Sequence, residues 1–157
     1  MTIHPRQIDL PDLAATEALA QRIAPRLAPG DTLLLSGEIG AGKSAFSRAL
    51  IRARLGRMED VPSPTFTLVQ TYEDPAGDIW HADLYRLGDV DEVFELGLDA
   101  AFEEAICLVE WPERLGAYAP DDALRLFFAA GEEGHSVTLT APGRWSDLLD
   151  GVEADHD

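Results

Sequence analysis

Cysteine is almost absent from this chain. Cys107 is the single one among 157 residues, so no disulfide can form within it and a reducing cytoplasm is the expected home. It sits in the apolar stretch 105–109, where a thiol acts as a small buried hydrophobe rather than a nucleophile. Long apolar runs are missing too. Nothing approaches the about 18 residues that a membrane-crossing helix needs, and residues 1–6, MTIHPR, lack the apolar core of a signal peptide. Positive charge is scarce: 12 Lys and Arg stand against 29 Asp and Glu, a net charge of −17. Such a surface opposes direct binding to the phosphates of DNA or RNA, which calls for a basic face. Arg48, Arg52, Arg54 and Arg57 form a local cluster of basic residues, and their spacing reads as a solvated helix face. Internal repeats, low-complexity tracts and a dividing linker are also missing. The length and the 46% hydrophobic content suit one globular domain with its own core.

What is present is concentrated in residues 37–44. Gly37-Glu38-Ile39-Gly40-Ala41-Gly42-Lys43-Ser44 matches G-x-x-x-x-G-K-[ST] at every fixed position. The apolar run 32–36 before it reads as a buried strand. Residues 45–55 after it read as a helix, with Phe46, Ala49, Leu50 and Ala53 at helical spacing. Strand, glycine-rich loop and helix together make a phosphate cradle. The glycines let successive backbone N–H groups turn toward one point, and the helix brings its positive N-terminal end there. Lys43 adds a full charge near the β- and γ-phosphates, and Ser44 offers a hydroxyl to Mg²⁺. The ligand this implies is a nucleoside triphosphate.

The remaining chain supplies the scaffold. Residues 12–27 form an amphipathic helix with Asp12 as N-cap and Leu13, Leu19, Ile23 and Leu27 near one face. Gly56 ends the helix after the loop. Two prolines stiffen residues 60–65. A strand over 66–72, a turn over 74–78 and a returning strand over 79–84 make a hairpin. Residues 90–102 are helical, split by Gly97. Residues 105–109 form a buried strand, and 113–115 begin a short turn or helix. A second hairpin joins 123–130 to 135–140. Residues 1–149 are read as the domain and 150–157 as an acidic, frayed tail. The expected class is α/β, a single-domain three-layer fold with a mixed, mainly parallel central sheet.

Several side chains outside the loop are candidates for chemistry. Glu110 ends an apolar strand, where ligands bind in open α/β sheets, and can hold Mg²⁺ beside Ser44. Thr65, just after the proline pair Pro62 and Pro64, is either a switch hydroxyl facing the metal or γ-phosphate or a turn cap. Asp83 is an acid in an otherwise apolar alternation and is assigned to water or metal. His81 reads as a packed strand residue. Arg86 either neutralises phosphate or pairs with Asp89 or Asp91. Trp111 either packs over the site or serves as a rim aromatic.

Taken together these segments resemble the TsaE (YjeE) family of small bacterial P-loop ATPases. The resemblance rests on GEIGAGKS at 37–44, SPTFTLV at 63–69, HADLYRL at 81–87, ELG at 95–97 and LVEWPERL at 108–115. It implies ATP binding with Mg²⁺ and an ATP hydrolysis that is weak in the isolated protein. It implies a role in making N6-threonylcarbamoyladenosine (t6A) in tRNA, alongside TsaD and TsaB, whose assembly the ATPase cycle resets. By the same resemblance, residues 37–44 (Gly37, Glu38, Ile39, Gly40, Ala41, Gly42, Lys43 and Ser44) wrap the phosphates, and Ser44 and Glu110 are the Mg²⁺ ligands. Thr65 is the switch threonine, Asp83 the acid tied to hydrolysis, and Trp111 the aromatic beside the metal glutamate. Leu13 marks an N-terminal contact to the nucleotide. His135 falls where the family often has Arg near the nucleotide.

A small-molecule kinase on the same loop is the alternative, although no Arg-rich lid follows the central strands. A third reading is a binding module whose conformation ATP sets without turnover. No N-K-x-D segment of the guanine-reading kind is present, which favours ATP over GTP.

Overall fold

The computed structural model of the protein describes residues 5–38, 40–56, 61, 68–132 and 134–156. Its strands are β1 (Arg6–Leu10), β2 (Thr32–Ser36), β3 (Val69–Tyr72), β4 (Ile79–Asp83), β5 (Ile106–Glu110), β6 (Leu124–Gly131) and β7 (Gly134–Thr140). The helices are α1 (Leu13–Ile23), α2 (Lys43–Leu55), α3 (Glu92–Leu96), α4 (Leu98–Glu104) and α5 (Ser146–His156). Short 3₁₀ segments cover Ala24–Arg26, Pro112–Tyr118 and Gly143–Trp145.

One seven-stranded sheet runs in the order β1-β7-β6-β2-β5-β4-β3. Its centre, β6-β2-β5-β4, is parallel, while β1, β7 and β3 are added antiparallel. The sheet is therefore mixed with a parallel middle, as the sequence leads one to expect. Burial explains which strands lie centrally. Leu33, Leu34 and Leu35 of β2 and all five residues of β5 are buried, as parallel strands covered on both faces must be. Period-two alternation then sorts them. Leu33 and Leu35 pack with residues of α1, α2 and α5 on one face, and Leu34 packs with Val93 and Leu98 of α3 and α4 on the other. Three layers result.

The helix boundaries follow local chemistry. Asp12 caps α1 by accepting from the Ala15 N–H at 2.9 Å. Gly56, in the left-handed region, closes α2 with its N–H on the Arg52 carbonyl at 2.9 Å. Gly97 separates α3 from α4, as expected from its position in the run 90–102.

Two elements depart from the sequence reading. β1 is a strand that two apolar residues, Ile8 and Leu10, anchor on β7. The domain does not stop at residue 149. Helix α5 runs to His156, and Leu148, Leu149 and Val152 are buried in the core at helical spacing. The acidic composition of that segment masks an apolar stripe of three residues, and Asp150 meets Arg6 at 2.7 Å.

Arg54 also differs from expectation. It does not lie on a solvated face. Its guanidinium forks onto Asp74 with two contacts of 2.7 Å and donates to the carbonyls of Ala24 and Leu27 at 3.0 and 3.1 Å. Arg57 lies outside the described residues.

Candidate functional site

The C-terminal ends of β2, β4 and β5 point the same way, and the side chains singled out in the sequence gather there. Gly37 follows β2 with φ of 135°, and a Cβ on it would lie 2.4 Å from the Phe128 carbonyl oxygen, so only glycine fits. Gly42, at φ of 113°, ends the loop as the residue before α2, with no side-chain cap on the helix. The first-turn N–H groups of α2 are thus left to whatever occupies the loop.

Lys43 begins α2 yet is buried. Its Nζ donates to the Gly37 carbonyl and lies 3.8 Å from the centre of the Trp111 ring, a cation–π contact. Burial of the ammonium lowers its pKa below the ordinary lysine value, while Glu110, Glu113 and Asp83 pull it back up. A positive charge is held there at a cost, facing a cluster of carboxylates.

Glu110 closes β5 and is 2% exposed. Its Oε1 accepts from the Ser44 hydroxyl at 3.0 Å. Its Oε2 lies 2.7 Å from His81 Nε2. Asp83 closes β4 directly opposite Glu110 in the parallel register and is buried as well. Its Oδ1 accepts from the Tyr85 N–H at 3.1 Å. Just past β5 the chain turns through Trp111 in the left-handed region, φ 62° and ψ 53°. That costs a non-glycine residue about 1–2 kcal/mol. The turn places the indole against Lys43 and against Tyr85, whose ring centre is 5.0 Å away. Strain of this kind is tolerated where it aims a side chain.

Gly40, Gly42, Lys43, Ser44, Asp83 and Glu110 line a cavity of about 490 Å³ that Tyr85, Arg86 and Trp111 complete. Its floor is a loop of backbone donors plus one ammonium. Its side wall holds a hydroxyl and two carboxylates. A glycine-rich loop at a helix N-terminus is of the kind that suits an anion, and Ser44 Oγ with Glu110 Oε1 is a donor pair of the kind Mg²⁺ takes. Among the described residues no group of three or more His, Cys, Asp or Glu forms a metal cage. Mg²⁺ fits that pattern, because it uses one or two protein oxygens and completes its shell with phosphate and water.

The structure thus brings together Gly37, Gly40, Ala41, Gly42, Lys43, Ser44, Asp83, Glu110 and Trp111, with Glu38 exposed at the loop's outer side. Ile39 and Thr65 lie outside the described residues. Leu13, at the exposed start of α1, does not line the cavity. His135 lines a separate groove with Pro11 and Gly134. Two contributors were missed in the sequence. Tyr85 packs its ring at a tilt against Trp111, and His81, though buried in the sheet, also bonds the Glu110 carboxylate. His81 and Asp83 stand two apart on one strand and so share a face, which was the available signal.

The architecture defines a class: a three-layer α/β protein with a strand, glycine-rich loop and helix unit beside a cavity at the ends of its parallel strands. Residues 10–137 match the family described as Threonylcarbamoyl adenosine biosynthesis protein TsaE. The tRNA threonylcarbamoyladenosine biosynthesis protein TsaE of Bacillus subtilis (strain 168) is 36% identical over 144 residues, covering 90% of this chain and 89% of that protein. Its counterpart in Streptomyces coelicolor is 38% identical over 138 residues, covering 82% and 92%. The crystal structure of Bacillus subtilis YdiB superposes with a TM-score of 0.79 at 28% identity, covering 100% of this chain and 99% of that one. The chain belongs to the TsaE family. Among the described residues no helix is long and apolar enough to cross a membrane.

Proposed function

We propose that this protein is a Mg²⁺-dependent ATPase of the cytoplasm that supports t6A modification of tRNA by binding and resetting a TsaD–TsaB complex. The observation that carries the reading is the Ser44 Oγ to Glu110 Oε1 contact of 3.0 Å, set beside the buried Lys43 at the mouth of the glycine-rich loop. Backbone N–H groups of residues 37–44 cradle the β- and γ-phosphates. The Lys43 ammonium sits against them, and phosphate is a partner for the charge that burial disfavours. Ser44 and Glu110 would hold the metal, and Mg²⁺, when bound, would supply neutralisation of the β- and γ-phosphate charge. Asp83 orients a water molecule for in-line attack. The water oxygen bonds to the γ-phosphorus, the bond to the β–γ bridging oxygen breaks, ADP leaves, and the water's protons end on phosphate and solvent. Thr65 senses the γ-phosphate. Leu13 and His135 are proposed nucleotide contacts beyond the cavity.

A net charge of −17 supports action through a protein partner rather than through tRNA directly. Weak turnover alone follows if docking completes the site. The test is Mg²⁺-dependent phosphate release with and without purified TsaD and TsaB, using Glu110→Ala as control. Stimulation by the partners that the variant loses supports the reading. Phosphate transfer only after a small acceptor is added would favour the kinase alternative instead.

A further inference from the structure

We propose that His81 is a positioning residue for Glu110, fixing that carboxylate so that Oε1 stays turned toward Ser44 and the metal position. The inference rests on the reading of Glu110 as a metal ligand and deepens it.

His81 lies on β4 between two strands, paired with Leu108 on one side and Gln70 on the other, and is fully buried. A position whose task is packing takes Val or Ile there, with no polar atoms to desolvate. The imidazole makes one bond among the described residues, from Nε2 to Glu110 Oε2 at 2.7 Å. Its Nδ1 is buried without a hydrogen-bond partner among them. The side chain therefore carries the cost of an unsatisfied nitrogen in order to place the other one. Since a carboxylate only accepts, Nε2 is the donor.

The geometry explains why a carboxylate needs this. Glu110 has two oxygens. With Oε2 bound to the ring and Oε1 accepting from Ser44 at 3.0 Å, both torsional ends of the carboxylate are fixed. Without the ring, Oε2 is a buried acceptor with no donor, and the group is free to turn toward the Lys43 ammonium, whose charge it already influences. Asp83 does not substitute for the ring, since a carboxylate offers no N–H. Outer partners of this type typically set metal affinity by about 10–100-fold.

The test is Mg²⁺ titration of the full-length protein with ATP present, alongside ATP affinity in EDTA, for wild type, His81→Phe, His81→Gln and Glu110→Gln. The amide of His81→Gln places a donor near the position of Nε2, so its Mg²⁺ half-saturation should stay within about threefold of wild type. His81→Phe keeps a ring without a donor and should weaken Mg²⁺ by about 10–100-fold while the metal-free ATP affinity is unchanged. Wild-type Mg²⁺ affinity in His81→Phe overturns the proposal. If His81→Phe does not fold, His81→Asn takes its place, because its shorter amide cannot reach Oε2, and equal Mg²⁺ affinity in Asn and Gln variants overturns the proposal. A purely structural role would lower metal-free ATP affinity in step with Mg²⁺, which also overturns it. Should wild type and Glu110→Gln respond alike to Mg²⁺, the metal reading falls and this inference with it.

Discussion

Among the described residues two charged clusters are shielded from solvent, and they are built differently. At the far end of α2, four of the five Arg54 N–H donors are met, by two contacts to Asp74 and two backbone carbonyls. At the near end, Lys43, Ser44, His81, Asp83 and Glu110 crowd together beside a cavity. The lysine is held against its own burial, one imidazole nitrogen lacks a partner among the described residues, and the neighbouring tryptophan is strained. Both clusters are polar and largely shielded from solvent, yet the first is nearly complete and the second is strained. A satisfied ion pair ties elements together; a strained set beside a cavity is where the proposed ligand would sit.

The comparison breaks most readily at Arg54. Arg54→Met strands Asp74 and two carbonyls, and should cost about 3–5 kcal/mol in denaturant unfolding. In the fraction still folded, ATP affinity should stay within about twofold, because the sites are distant and share no partner. At the other cluster the expectation inverts. Lys43→Ala should lower ATP turnover at least about 100-fold while costing little stability, since it removes a charge the fold holds unfavourably. That variant also sharpens a pH effect. The folded pKa of Lys43 lies below 10.5, its unfolded value. Between the two, the unfolded chain binds the extra proton, so Lys43 makes stability rise with pH, and unfolding measured across that window should lose the slope in Lys43→Ala.

Smaller effects follow. Trp111→Phe keeps a ring over Lys43 but weakens the cation–π contact, so calorimetric ATP affinity should fall by about 0.5–1 kcal/mol. Nucleotide addition should alter tryptophan emission in wild type and not in Trp111→Phe. Least of all, Cys107 should stay inert. Burial pushes its thiol from 9.0 up to about 12, so a thiol reagent at neutral pH should react only as fast as the protein unfolds. In the window between those values the folded chain keeps its proton, and this group makes stability fall as pH rises.

What was legible in the sequence was what is local. The loop at 37–44 fixes its glycines, Lys43 and Ser44 by spacing alone, and the apolar runs around it mark β2, α2 and β5. Glu110 and Asp83 were legible because a strand end has a known direction relative to the site. The rest depends on partners far away in the chain. The Ser44–Glu110 contact spans 66 positions and His81–Glu110 spans 29. Arg54 reads as solvent-facing until its partner Asp74 is placed. β1 and α5 carry two and three anchoring residues, too few to give a period against charged surroundings.

The central claim is that the open cluster, and not the closed one, binds metal and nucleotide. The direct test is ATP affinity measured by calorimetry with and without Mg²⁺ for Glu110→Gln beside Arg54→Met. The account predicts that Glu110→Gln loses the gain in affinity that Mg²⁺ gives, while Arg54→Met, measured where it is folded, keeps it. An unchanged Mg²⁺ gain in Glu110→Gln would contradict the account.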